Sequence, residues 1–154
     1  MVNYTDQPQL AKDLKETNDC FVRALAIAAG ITYTEAHGIA SAEFGRKDRK
    51  GTKGVRGTIH QLNQRNHLAH LGLEIQRVNH TWVNRKGQVN GVNIRGFYNR
   101  YRKGHYLVLV SGHALAIIDG QIQDWSTKAK QIGRTVKAAY RVANLRQLDL
   151  FANC

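Results

Sequence analysis

The stretch NDCFVRALAIAAG, residues 18–30, decides the fold that we expect for this chain. Asn18 and Asp19 are good N-caps, because their side-chain oxygens accept hydrogen bonds from the unpaired N–H groups of a first helical turn. Apolar residues follow almost without interruption, and Gly30 stands where a left-handed residue commonly ends a helix. The sequence therefore predicts a buried central helix with Cys20 at its N-terminus.

Cys20 has two interpretations. A thiol at a helix N-terminus meets the positive end of the helix dipole, which favours the nucleophilic thiolate. A free cysteine beside an apolar run is also typical of an inert core position. The choice between them depends on a second stretch, near residue 113.

Length and composition predict one globular domain. The 154 residues are 42% hydrophobic, enough for a real core. No apolar run approaches the ~18 residues of a membrane-spanning helix, and residues 1–6 lack the pattern of a signal peptide. Two cysteines, Cys20 and Cys154, are too few for a disulfide framework. A cytoplasmic protein without membrane contact is therefore expected.

The charge is strongly positive. Lys and Arg number 23 against 11 acidic residues, for a net charge of +12, and such a surface attracts nucleic acid or an acidic protein. A glycine-rich loop over residues 46–57 is either a solvated loop or a contact for phosphates. Its candidate binding residues are Arg46, Lys47, Arg49, Lys50, Lys53 and Arg56.

A short helix is predicted from residue 93 or 94 to Tyr101. Its aromatic residues alternate with basic ones, a pattern that suits base stacking and phosphate contact and also an ordinary amphipathic helix. Just before it, Trp82 and Val83 are expected to anchor one point of a polar segment. The candidate binding residues in and after the helix are Arg95, Arg100, Arg102 and Lys103.

Two further helices are predicted before the first strand. Thr32 and Glu35 fit a capping box that begins the second helix, which Gly45 ends. Thr58 begins a third helix that runs to Gly72. His67 and His70 lie three residues apart in it, but no Cys, Asp or Glu nearby completes a set of metal ligands, so neither a metal nor a cofactor is predicted.

The second half of the chain predicts a sheet. Strands are expected at 73–78, 105–110, 113–118, 121–125 and 138–142. Asp119-Gly120 favours a two-residue type I′ hairpin, which pairs Ile117 with Ile122. Side-chain alternation then brings His113, Leu115, Ile117, Ile122 and Asp124 to one face, with His113 and Asp124 as diagonal neighbours, unless a bulge intervenes.

Cysteine on a helix, histidine at a strand start and aspartate on the next strand follow the order of the papain-like cysteine peptidases. The motifs N-D-C-x-x-R-A at residues 18–24 and S-G-H-A at 111–114, with Asp119-Gly120 and Asp124, resemble those of small bacteriophage proteins of this superfamily. The resemblance covers about residues 16–45 and 104–126. It implies an α+β papain-like domain over residues 1–154. Its helices lie at about 10–72, with the cysteine helix central, and pack on an antiparallel sheet at about 73–151.

The resemblance also implies the roles of a catalytic triad. Cys20 is the nucleophile, His113 the base and Asp124 the group that orients the imidazole. Papain-like enzymes usually place a glutamine about six residues before the cysteine to form the oxyanion hole. Leu14 stands there in this chain, so Asn18 is the nearest amide candidate, beside the backbone N–H of Cys20.

Two hypotheses about function follow. One is a phage-encoded thiol hydrolase or acyltransferase, working in the host cytoplasm on a peptide or isopeptide bond of a protein substrate. The other is a basic RNA- or DNA-binding protein on a papain-like scaffold that has lost catalysis. The sequence leaves both open, and it does not determine the oligomeric state.

Overall fold

The computed structural model describes residues 20–43, 68–123 and 132–146. In these ranges the fold is α+β, with a five-stranded antiparallel sheet and a separate two-stranded sheet. The α-helices are α1 (Cys20–Ala29), α2 (Tyr33–Glu43) and α3 (Ile94–Arg100), and a 3-10 turn spans Ala69–Leu71. The strands are β1 (Leu73–Arg77), β2 (Thr81–Val83), β3 (Val89–Gly91), β4 (His105–Val110), β5 (His113–Ile118), β6 (Gln121–Gln123) and β7 (Ala138–Asn144).

The two N-terminal helices form as the sequence predicts. Helix α1 is buried at eight of its ten positions and ends before Gly30, whose φ of 66° is left-handed. The capping box of α2 is confirmed, since the backbone N–H of Glu35 donates to Thr32 Oγ1 at 3.1 Å. Helix α2 packs on α1 and buries Tyr33, Ala36, Ile39 and Ala40. The predicted end at Gly45 and the start of the third helix lie outside the described residues.

The large sheet has the strand order β1-β7-β4-β5-β6 and is buried on both faces. One hydrophobic cluster joins α1 and α2 to Leu107, Leu109, Ala114 and Ala116. The alanines of β5 allow the close approach of α1, because their small side chains let the helix lie near the sheet backbone. We call this side of the sheet the α1 face.

The opposite side of the sheet is covered by α3. Asn93 caps this helix, with its Oδ1 accepting from the backbone N–H of Gly96 at 2.8 Å. Ile94 and Phe97 of α3 belong to a second hydrophobic cluster with Val108, Leu115 and Ile117 of the sheet. We call this side the α3 face. The central strands are continuous apolar runs because each face is buried against a helix.

The hairpin between β5 and β6 has the predicted register. Ile117 pairs with Ile122 and Ile118 with Gln121, while Asp119 and Gly120 have φ values of 50° and 78°. Positive φ at both loop residues is what a type I′ turn requires. Ile122 lies in the same cluster as Leu115 and Ile117, so the predicted shared face is confirmed for these three residues.

Two features of the fold differ from the sequence expectations or add to them. Strand β7 lies between β1 and β4, at the interior of the sheet. Strands β2 and β3 form a separate antiparallel hairpin that the sequence analysis did not predict. Trp82 and Val83 belong to this hairpin and are 43% and 64% exposed. Val83 therefore does not anchor the segment, whereas the Trp82 side chain lies against α3 at Gly96.

Candidate active site

Cys20 is the first residue of α1 and is partly buried, packed against the cluster of the α1 face. It is a free cysteine. The first residues of an α-helix have backbone N–H groups without an intrahelical acceptor, so the N–H of Cys20 is of the kind that can stabilise an oxyanion. The local structure that the sequence predicts around this thiol, a cysteine opening a buried helix, is confirmed.

The direction of α1 over the sheet follows from a contact at its other end. His105 Nδ1 lies 3.0 Å from the carbonyl oxygen of Ala28, and His105 pairs with Ile118 at the end of β5. Helix α1 packs chiefly on β5 and therefore runs in the same direction as that strand. Because a ten-residue helix and a six-residue strand have comparable lengths of ~15–20 Å, Cys20 lies toward the end of the sheet where β5 begins.

His113 is the first residue of β5 and is partly buried. It pairs with Val110 across the tight turn Ser111-Gly112, in which Gly112 has a φ of 70°. Strand alternation puts the position of His113 in the same row as Leu115, on the α3 face. The two candidate catalytic residues thus share one end of the sheet but occupy positions on opposite faces. A contact between the two side chains would have to go around this end of the sheet, beside the turn.

Several predicted site residues lie outside the described residues. They include Asp124, the candidate orienting group, and Asn18, the candidate oxyanion donor. The pairing of Ala116 with Gln123 is the last described step of the hairpin before Asp124. The predicted basic loop also falls outside, with its candidates Arg46, Lys47, Arg49, Lys50, Lys53 and Arg56.

The other predicted basic residues lie in or just after α3. Arg95, Arg100, Arg102 and Lys103 are all exposed, and the Arg100 guanidinium lies 6.0 Å from the centre of the Tyr101 ring. Helix α3 is also an ordinary amphipathic helix, since Ile94 and Phe97 are fully buried. These cations lie on the side of the sheet away from α1, so the structure does not bring them together with Cys20.

Three residues that the sequence analysis did not select as binding residues are prominent in the structure. Trp82 is partly exposed on β2, and Arg85 and Lys86 are exposed in the turn that follows. The signal was present in the sequence, because residues 75–118 contain no Asp or Glu. A segment of this length without Asp or Glu contributes only positive charge to the protein surface where its Lys and Arg side chains are exposed.

Comparison of the chain with protein-family models, with curated proteins and with solved structures finds no match. Within residues 20–43, 68–123 and 132–146, no three His, Cys, Asp or Glu side chains group as a metal site. Helices in the same ranges are too short or too polar to cross a membrane. The sequence motifs and the arrangement of the two sheet faces are therefore the observations that indicate a function.

Proposed function

We propose that this protein is a papain-like thiol hydrolase, or an acyltransferase of the same chemistry, acting on a peptide or isopeptide bond. One observation carries the proposal: Cys20 opens the central helix at the end of the sheet where His113 opens β5. The alignment of α1 with β5, fixed by the contact between His105 and Ala28, supports it. A phage origin and a cytoplasmic site of action are part of the same proposal.

The proposed reaction has two halves. Cys20 Sγ attacks the carbonyl carbon of the scissile bond while His113 holds the thiol proton, and the oxyanion is stabilised by the backbone N–H of Cys20. His113 then gives this proton to the leaving amine as the C–N bond breaks, which leaves a thioester on Cys20. A water molecule attacks the thioester, its proton passes to His113, and the acid product departs as the thiol is restored. In an acyltransferase an amine takes the place of water.

Asp124 and Asn18 have supporting roles in this proposal. Asp124 accepts a hydrogen bond from the imidazole and keeps it in the orientation that receives the thiol proton. Asn18 adds an amide donor to the oxyanion hole, where Leu14 stands in place of the usual glutamine. The predicted hairpin register, confirmed as far as the pair Ala116 and Gln123, supports the first of these roles.

The test is the alkylation of Cys20 by iodoacetamide, followed by mass spectrometry in a Cys154→Ser background. We expect alkylation at about pH 6 to be at least tenfold faster than that of glutathione, because in the proposed pair His113 takes the thiol proton as the sulfur attacks. His113→Ala should abolish the excess rate, and the matched control His70→Ala, which removes an exposed histidine bound to Glu43, should not.

A second measurement traps the nucleophilic thiol as a stable thioether, in the same Cys154→Ser background. Peptide vinyl sulfones of varied sequence should modify Cys20 in the wild type and leave the Cys20→Ser variant unmodified. Alkylation that is as slow as that of glutathione and is indifferent to His113 would contradict the proposed catalytic pair. It would leave α1 as a structural helix with a core cysteine.

A further inference from the structure

The hairpin of β2 and β3, with its turn at residues 84–88, carries apolar side chains into solvent. Trp82, Val83 and Val89 are 43%, 64% and 68% exposed. Val83 and Val89 are directly opposite each other across the strands, whereas Trp82 stands between Thr81 and Val83 and so faces the other way. We call residues 81–91 the Trp82 hairpin. Because they lie on two opposite faces, the three residues do not form one patch. The large aromatic ring of Trp82 is the candidate contact on its own face of the hairpin.

The turn of the Trp82 hairpin is held in one conformation. Asn84 Oδ1 accepts hydrogen bonds from the backbone N–H groups of Lys86 and Gln88, each at 2.9 Å. Asn84 Nδ2 donates to Gln88 Oε1 at 2.9 Å, and Gly87 has a left-handed φ of 76°. Because the turn is already ordered, binding a ligand there costs little conformational entropy of the backbone, which favours affinity.

The base of the hairpin is fastened to α3. The Tyr101 hydroxyl donates to the carbonyl oxygen of Asn79 at 2.6 Å, and the N–H of Val92 donates to the carbonyl of His80 at 3.1 Å. The indole of Trp82 lies against α3 at Gly96, 3.5 Å from the point where a Cβ on that glycine would stand. One edge of the indole thus rests on the helix, while 43% of the residue's surface is exposed.

The segment that forms the Trp82 hairpin and α3 carries charged side chains of one sign. Residues 75–118 contain seven Lys or Arg and no Asp or Glu, and all seven cations are exposed. Exposed Lys and Arg side chains attract mobile counterions, which are released when a polyanion binds. The seven are Arg77, Arg85, Lys86, Arg95, Arg100, Arg102 and Lys103.

We propose that the Trp82 hairpin and α3 together bind single-stranded nucleic acid. The Trp82 indole stacks on a base, and Arg85, Lys86 and Arg95 contact phosphates on either side of it. A single strand is the ligand because a duplex conceals the faces of its bases from a side chain at its surface. The inference is independent of the proposed hydrolase, since Cys20 packs on the α1 face and the hairpin joins the α3 face.

The experiment measures the anisotropy of fluorescein-labelled oligo(dT), oligo(rU) and a DNA duplex with the full-length protein. We expect the single strands to bind more tightly than the duplex, with affinity that falls steeply between about 50 and 200 mM salt. Trp82→Ala should weaken single-strand binding by about 5- to 150-fold, the effect of losing one stacked base. Trp82→Phe should retain most of the affinity, because phenylalanine also stacks.

Charge-neutralising variants test the phosphate contacts. Arg85→Gln and Lys86→Gln should each reduce affinity and the salt dependence of binding. Arg146→Gln is the matched control, because Arg146 pairs with Glu35 of α2 and belongs to the α1 side of the sheet. These exposed turn variants also keep the test informative if Trp82→Ala fails to fold, as judged by circular dichroism.

Three results would overturn the inference. The first is no single-strand binding at low salt, and the second is equal or tighter binding of the duplex. The third is competition by poly-glutamate, at matched charge, that equals competition by unlabelled oligo(dT), because a site for any acidic polymer does not use stacking. Quenching of tryptophan fluorescence by poly(dT) in the wild type, and its reduction in Trp82→Phe, would support the stacked base directly.

Discussion

His105 Nδ1 lies 3.0 Å from the backbone carbonyl oxygen of Ala28, so the first residue of β4 closes the C-terminal end of α1. A carbonyl oxygen only accepts, and the imidazole therefore carries a proton on Nδ1. This contact joins two elements far apart in sequence. It also satisfies one of the carbonyls that the end of a helix leaves without an intrahelical donor.

Replacing His105 should loosen this junction. We expect His105→Ala to lower the free energy of unfolding by about 1–2 kcal/mol, because a partly buried carbonyl loses its donor and a side chain loses packing. Urea denaturation measures the effect. His105→Asn, which offers an amide donor of shorter reach, should recover part of the loss. Equal stability of His105→Ala and the wild type would contradict a stabilising role for the contact.

Ala114 tests the close approach of α1 to β5. Its side chain is fully buried in the cluster of the α1 face, so Ala114→Leu should push the helix from the sheet and cost about 1–3 kcal/mol. The matched control is Ala42→Leu, the same change at an exposed position of α2. A thermal unfolding scan compares the two variants. An Ala114→Leu protein as stable as the control would show that α1 does not lie tightly on β5.

Asp119 combines an unusual backbone angle with two contacts to Gly104. Its φ is 50°, its Oδ1 accepts from the N–H of Gly104 at 2.9 Å, and its own N–H donates to the Gly104 carbonyl at 2.9 Å. We expect Asp119→Ala to destabilise by about 1–2 kcal/mol, since it loses the side-chain bond and keeps a left-handed angle. Asp119→Asn, which tolerates that angle and retains Oδ1, should be nearly neutral. Chemical denaturation distinguishes the two, and equal losses would refute this explanation.

His80 at the base of the Trp82 hairpin should make stability depend on pH. Burial, and secondarily the positive charge of Arg77, lowers the pKa of His80 below its ordinary value. The unfolded chain then binds the proton more readily, so this contribution to stability is present above about pH 6.5 and is lost as the pH falls toward the lowered pKa.

Urea midpoints at about pH 8 and pH 5 measure this dependence, with His80→Gln as the variant. We expect the fall in stability toward pH 5 to be smaller in the variant than in the wild type. Histidine NMR gives a direct check, because the His80 resonance should titrate below the ordinary histidine range. A titration above that range would reverse the sign and contradict the prediction.

The parts of the fold set by local chemistry were predictable from the sequence. Thr32 and Glu35 begin α2 through a capping box, Gly30 ends α1, and Asp119-Gly120 sets the pairing of Ile117 with Ile122. In each case neighbouring residues impose a backbone angle or a hydrogen bond. The start of α1 at Cys20 and the start of β5 at His113 were predictable for the same reason.

Features decided by distant parts of the chain were not predictable. The sequence of residues 138–142 indicates a strand, but nothing in it specifies that β7 lies between β1 and β4. Trp82 and Val83 form too short an apolar run to show a period, so their exposure on a separate hairpin depends on the tertiary structure. Cys20 and His113 likewise occupy positions on opposite faces because of the face of the sheet that α1 covers. Alternation within β5 alone does not specify which face that is.

The place of β7 also has a consequence for how the protein is made. In the part of the chain that the structure describes, β1 has β7 as its strand neighbour, and the partners Leu73 and Asn144 are almost half the chain apart. During translation β1 and one edge of β4 stay open until residues 138–144 have left the ribosome. Such long-range closure slows folding, and open edges invite pairing with other nascent chains. Rapid synthesis in a crowded cell should therefore make this protein a client of chaperones.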